Sequence, residues 1–222
     1  MTRVLKFGRK AAQSGKARSL VVFLHGYGAN GADLLGLADS LAPHLPDTAF
    51  VAPDAPDRVQ GSTGYQWFGV PQFDGTSLAT AAAARDRSAA DLSAFLDQRL
   101  SYDGLGPESL ALLGFSQGAM MSFHVAPRRA TAIAAVVAIS GRLFHPERLA
   151  TETLSKPPFL VMHGDQDPVV PFAEMATACD ALTAAGFDTY GHVMHGTAHG
   201  IAPDGLSAAL QFLKQFLPAR SA

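Results

Sequence analysis

The 222-residue sequence predicts a single-domain α/β fold, with a mostly parallel central sheet, helices on both faces and no large lid domain. Three observations carry this. Strand-like apolar runs alternate with helix-like segments along the whole chain. Runs such as Ala135-Val136-Val137-Ala138-Ile139 are apolar at every position, as central parallel strands covered on both sides must be. No repeat, linker or low-complexity tract divides the chain, and 48% hydrophobic content lets one domain spanning 1–222 bury a substantial core.

The expected strands, in order, are residues 3–7, 19–24, 49–52, 109–113, 134–139, 159–162 and 189–194. Each is a short apolar or β-branched run bounded by turn residues. The expected helices are 32–41, 80–100, 117–126, 172–184 and 203–217. The last carries Leu206, Leu210, Leu213 and Leu217 as an amphipathic stripe. Pro127 should stop the helix before it. This alternation implies right-handed crossovers, which put helices on both faces.

The chemistry starts at Gly114-Phe115-Ser116-Gln117-Gly118, between the run Leu110-Ala111-Leu112-Leu113 and a helical segment. In a strand–turn–helix context this is a nucleophile elbow. Ser116 would sit on a tight, strained turn, and Gly114 and Gly118 supply the room that a Cβ would fill. A mere turn serine is the bland alternative.

A serine hydroxyl needs a base, and the base needs an orienting acid. His163-Gly164-Asp165-Gln166-Asp167-Pro168 and Gly196-Thr197-Ala198-His199-Gly200 each follow an expected strand. Both therefore fall at the carboxyl edge of the sheet, where ligands bind in open α/β sheets. Asp165 and Asp167 compete for the acid. Asp167 is favoured, because Pro168 biases it toward an extended, fixed turn, whereas Asp165 suits a turn cap. His192 and His195 lie within or at the end of a strand, so His199 is the favoured base. The order Ser, Asp, His differs from those of the two large serine-protease folds.

The oxyanion needs two N–H donors. Gln117, next after the nucleophile, offers one, and the loop His25-Gly26-Tyr27-Gly28-Ala29-Asn30-Gly31-Ala32-Asp33 after an early strand is placed to offer the other. The long segment from Asp54 to Ser77, rich in Gly, Pro and aromatics, is the expected specificity element. Trp67 and Phe68 are expected to wall an apolar acyl or alcohol pocket, with Val169 nearby. A loop that only packs its aromatics beneath itself is the alternative.

These motifs together resemble the phospholipase/carboxylesterase family of α/β-hydrolases, which includes acyl-protein thioesterases. The resemblance rests on Leu24-His25-Gly26-Tyr27-Gly28 with Asp33, Pro53-Asp54-Ala55-Pro56, Trp67-Phe68, the Ser116 elbow, His163 to Pro171, and His199-Gly200. It implies a triad of Ser116, Asp167 and His199, an oxyanion hole from the Tyr27 and Gln117 N–H groups, and ester hydrolysis without a cofactor. One departure concerns the pocket. The family usually follows its Trp-Phe pair with an aspartate, whereas here Gly69 follows and the nearest acid is Asp74.

The expected function is serine carboxylesterase action on short- to medium-chain acyl esters through an acyl-enzyme. A lysophospholipase or acyl thioesterase using the same triad is the alternative, and a non-catalytic binding protein of the same fold a remote one. A net charge of −2 gives no reason to expect a nucleic-acid partner. The 8 histidines show metal-ligand spacing only at His195 and His199, in a loop with no nearby acidic ligand, so no metal is expected. The start lacks a signal-type apolar segment, and no run approaches the roughly 20 apolar residues of a membrane span. The expectation is a cytoplasmic enzyme that acts on a small-molecule ester without inserting into membranes. Whether it forms a homo-oligomer is not readable from the sequence. The lone Cys179, in a helical pattern with Met175 and Leu182, is expected to be a packed thiol.

Overall fold

The computed structural model describes residues 2–218. In chain order the strands are β1 (Phe7–Lys10), β2 (Ser19–Leu24), β3 (Thr48–Pro53), β4 (Asp57–Arg58), β5 (Tyr65–Gln66), β6 (Leu110–Phe115), β7 (Ala135–Ile139), β8 (Phe159–Gly164) and β9 (Thr189–Met194). The helices are α1 (Gly31–Leu35), α2 (Ala38–Leu41), α3 (Pro71–Asp74), α4 (Leu78–Asp103), α5 (Gln117–Val125), α6 (Leu149–Glu152), α7 (Ala173–Ala184) and α8 (Pro203–Phe216). Seven strands form one sheet in the order β1-β3-β2-β6-β7-β8-β9, and β4 and β5 make a separate two-stranded ribbon. Every pairing in the large sheet is parallel except β1 with β3. The predicted α/β architecture is the one observed.

The period of two in each strand sorts its side chains into two cores. Leu20, Val22, Leu24, Leu110 and Leu112 face one layer, built with α4, α5 and α7. Val21, Phe23, Ala111 and Leu113 face the other, built with α2 and α8. Burial on both faces makes β2, β3, β7 and β8 apolar at almost every position.

Several expectations shift. The first strand starts at Phe7 rather than at residue 3 and pairs antiparallel from Phe7 opposite Pro53 to Lys10 opposite Phe50. Arg3 is instead held by Asp91 on α4 and by Asp57, which draws the preceding segment off the sheet edge. The helix expected over 32–41 is two short helices, α1 and α2. In α8 the buried face is Gly205, Ala209, Phe212 and Leu213, so the apolar stripe is centred one position away from Leu206 and Leu210, which are half-buried. α5 ends at Val125, and Pro127 lies in the 3-10 turn that follows. Cys179 is half-buried on α7. Among the described residues, no helix is long and apolar enough to cross a membrane.

Candidate active site

β6 runs through the middle of the sheet, between β2 and β7, and ends at Phe115. The next residue, Ser116, has φ 55° and ψ −116°, outside the comfortable range for a side chain. Close packing explains why glycines flank it. A methyl on Gly118 would overlap the Leu24 carbonyl, and one on Gly114 would overlap the backbone of Gly118. The Ser116 N–H donates to the Ile139 carbonyl (2.8 Å), and the Ser116 carbonyl accepts from Met120 N–H (3.1 Å), so the elbow is fastened to β7 and to α5.

The loops after β8 and β9 deliver two further groups to this point. The Ser116 hydroxyl lies 2.9 Å from Nε2 of His199, and Nδ1 of His199 lies 2.7 Å from Oδ2 of Asp167. An ionised carboxylate only accepts, so the Nδ1 proton belongs to His199 and points at Asp167. Nε2 is then free to accept from the serine hydroxyl. Phe115 packs against the imidazole at 4.9 Å between ring centroids and limits its movement.

The Asp167 side chain has no solvent-accessible surface, although the residue as a whole is half-buried. Burial works to raise its pKa, but the hydrogen bond from His199 and the N–H groups of Val170 and Val169 outweigh it, so the carboxyl titrates below its ordinary value. Oδ1 accepts both backbone donors, at 2.8 Å from Val169 and 2.9 Å from Val170. Asp165 does different work. It accepts from Gly196 N–H (2.7 Å), pairs with His195 (2.9 Å) and so pins the loop after β9 to the loop after β8. The structure thus brings Asp167, and not Asp165, beside His199, and places Asp165 across the two loops.

His163, at the end of β8, was not singled out from the sequence. It is fully buried, and its Nε2–H donates to the Val170 carbonyl (3.0 Å) while lying 3.3 Å from Oδ2 of Asp167. Its place two residues before Asp165 in the same turn was the available signal.

The loop after β2 approaches the elbow so closely that a methyl on Gly26 would sit 3.2 Å from Cβ of Ser116. Gly28 takes φ 78°, which glycine adopts without strain. Among the described residues, the N–H groups of Tyr27 and Gln117 carry no hydrogen bond. As the first residue of α5, Gln117 has no intrahelical acceptor for its N–H. Two unpaired donors therefore lie on the segments that flank Ser116, one on the loop that packs against it and one on the residue that follows it.

The segment between β3 and α4 corrects one expectation. Trp67 was expected to wall an open pocket, yet it has no solvent-accessible surface. Its indole N–H is bonded to the His25 carbonyl (3.0 Å), so the ring lies beneath the loop after β2 and, with no accessible surface, cannot touch a ligand as placed. Phe68 is nearly buried and meets Phe144 edge-on at 5.9 Å. Val169 is half exposed, next to the Asp167 turn. Asp74 folds into its own loop, accepting from Val70 and Thr76 N–H.

Comparison with known proteins gives a consistent result. The model of the family described as Phospholipase/Carboxylesterase matches residues 10–217. A solved structure described as esterase PE8 is 41% identical and superposes with a TM-score of 0.92, covering 97% of this chain and 100% of that one. Esterase YpfH of Escherichia coli (strain K12) is 28% identical over 206 residues, 91% of this chain and 84% of that protein. Acyl-protein thioesterase 1 of Saccharomyces cerevisiae is 29% identical over 224 residues, 94% of this chain and 97% of that protein.

Proposed function

The chain belongs to the phospholipase/carboxylesterase family, carboxylic ester hydrolases of α/β-hydrolase fold, and within it we propose a serine carboxylesterase with Ser116 as nucleophile, His199 as base and Asp167 as orienting acid. The observation that carries this reading is the continuous relay from the Ser116 hydroxyl through His199 to Asp167, at 2.9 and 2.7 Å. Three polar groups from three separate loops meet in this order where the elbow strains one of them.

The reaction runs in two halves. Ser116 Oγ attacks the ester carbonyl carbon as its proton passes to His199 Nε2. The carbonyl oxygen becomes an oxyanion held by the Tyr27 and Gln117 N–H groups. Collapse breaks the carbonyl–alkoxy bond, and His199 returns the proton to the leaving alcohol. Water then attacks the acyl-enzyme by the same path and releases the carboxylic acid and Ser116. Asp167 keeps the imidazole in the Nδ1–H tautomer and offsets the imidazolium charge. No step calls for a cofactor.

The proposed substrates are short- to medium-chain acyl esters, bound near Phe68 and Val169. Acyl thioesterase action with the same residues is the second reading, favoured by the curated relatives named acyl-protein thioesterase. A panel of matched oxygen esters and thioesters separates the two. A kcat/KM preference for the esters supports the first, and a preference for the thioesters of more than about tenfold supports the second.

A further inference from the structure

We propose that Trp67 is a positioning residue of the oxyanion hole, bracing both of its donors at once, and not a wall of the acyl pocket. This rests on the serine-esterase reading above.

Every polar group of Trp67 is engaged. Its indole N–H reaches the His25 carbonyl at 3.0 Å. Its backbone N–H reaches Oε1 of Gln117 at 2.8 Å. Its carbonyl accepts the Ser88 hydroxyl at 2.5 Å. Two of these bonds end on residues that set the oxyanion donors.

On the first side, the Tyr27 N–H belongs to the Gly26–Tyr27 peptide, which is a rigid plane. Fixing its carbonyl end therefore aims its N–H end the opposite way. That carbonyl is fixed by His25, whose Nδ1 lies 2.7 Å from it. The Ala55 N–H donates to Nε2 of His25 (2.9 Å), so the ring proton is on Nδ1 and is donated to Gly26. Burial lowers the His25 pKa, and a neutral ring is what this double role requires. Trp67 packs on that ring at 5.7 Å and holds its backbone through the indole bond.

On the second side, Gln117 supplies the other donor from its backbone. Its side chain is clamped to the Trp67 N–H and to the Phe68 carbonyl, the latter at 2.7 Å. One buried residue thus spans the two halves of the hole, and Ser88 on α4 supports it from behind. Oxyanion donors act only within a few tenths of an ångström of their working distance, so a brace shows in the transition state and not in ground-state binding.

The test compares wild type, Trp67→Phe, Ser88→Ala and Ser116→Ala on nitrophenyl esters of graded chain length, with butylboronic acid as the oxyanion-mimicking probe. Trp67→Phe keeps the aromatic bulk and loses the indole donor. The expected result is a fall in kcat of about tenfold to a hundredfold, less than the loss of a whole donor. KM and the chain-length optimum stay unchanged, and boronate affinity falls by the same factor as kcat/KM. Ser88→Ala should move kcat and boronate affinity in the same direction, by about severalfold, and decides the matter should Trp67→Phe not fold. Unchanged kcat and boronate affinity in the variants, or a shifted chain-length optimum at unchanged kcat, would overturn the brace while leaving the esterase intact. A wild type with no ester turnover lost in Ser116→Ala would overturn the esterase reading itself, and the brace with it.

Discussion

His199 and Asp167 stand 32 residues apart in sequence, yet their Nδ1 and Oδ2 atoms are 2.7 Å apart. The parallel pairing of β8 with β9 accounts for this, because it ends both strands at the same edge and their loops rise side by side. Asp167→Asn should leave the backbone bonds from Val169 and Val170 in place but favour the wrong imidazole tautomer. On the serine-protease precedent kcat falls by up to about ten-thousand-fold. Asp165→Asn keeps an acceptor for Gly196 N–H and should retain activity within about an order of magnitude. Steady-state kinetics of the two variants check this, and the reverse ranking would assign the acid to Asp165.

The elbow should be intolerant of a single methyl group. In Gly118→Ala the new Cβ would overlap the Leu24 carbonyl, a backbone atom held by the pairing of Leu24 with Gly114. Neither side can move without disrupting the central sheet. The expected cost is at the upper end of overpacking effects, about 3 kcal/mol or more. Urea unfolding measures it, and a variant as stable as wild type would show that the elbow is looser than described.

His124 should make the protein acid-sensitive for a reason unrelated to catalysis. Burial lowers its pKa from 6.5 to about 4, with Arg128 and Arg85 adding to the effect and Asp86 and Glu152 opposing it. Between these values the unfolded chain holds a proton on this residue that the folded one does not. Stability therefore falls as pH drops from about 6.5 to about 4, by up to about 3 kcal/mol from this group. His124→Gln removes the titration, so its unfolding free energy should vary less across that window. Urea unfolding at pH 7 and pH 4.5 tests it, and an unchanged difference between the two would contradict the assignment.

The central strands could be read from sequence because burial on two faces leaves only apolar residues, as in Ser19–Leu24, which has the expected bounds; Thr189–Met194, at one edge of the sheet, has them too. The opposite edge was harder to read. Phe7–Lys10 carries no apolar run, and its start is set by the distant partners of Arg3, which no local pattern records. The ribbon of Asp57–Arg58 with Tyr65–Gln66 has only two residues on each side, too few for any periodicity. Within the site, the elbow and the order of serine, acid and histidine were readable because chemistry restricts those residue types and spacings. Trp67 misled for a physical reason. An aromatic in a loop above a sheet edge has the same local sequence whether it faces a ligand or lies beneath the backbone, and only its bond to the His25 carbonyl distinguishes the two. His163 escaped notice because its partners, Val170 and Asp167, become neighbours only once the turn is folded.

The central claim is that Ser116 performs covalent ester hydrolysis. The most direct measurement is turnover of nitrophenyl acetate, butyrate, octanoate and palmitate by wild type and Ser116→Ala side by side, with circular dichroism to show that both are folded. Wild-type hydrolysis should be strongest on the short to medium chains, with a loss in the variant of about a million-fold, down to the background rate. A folded Ser116→Ala that retains wild-type turnover, or a wild type that hydrolyses none of the four, would contradict it.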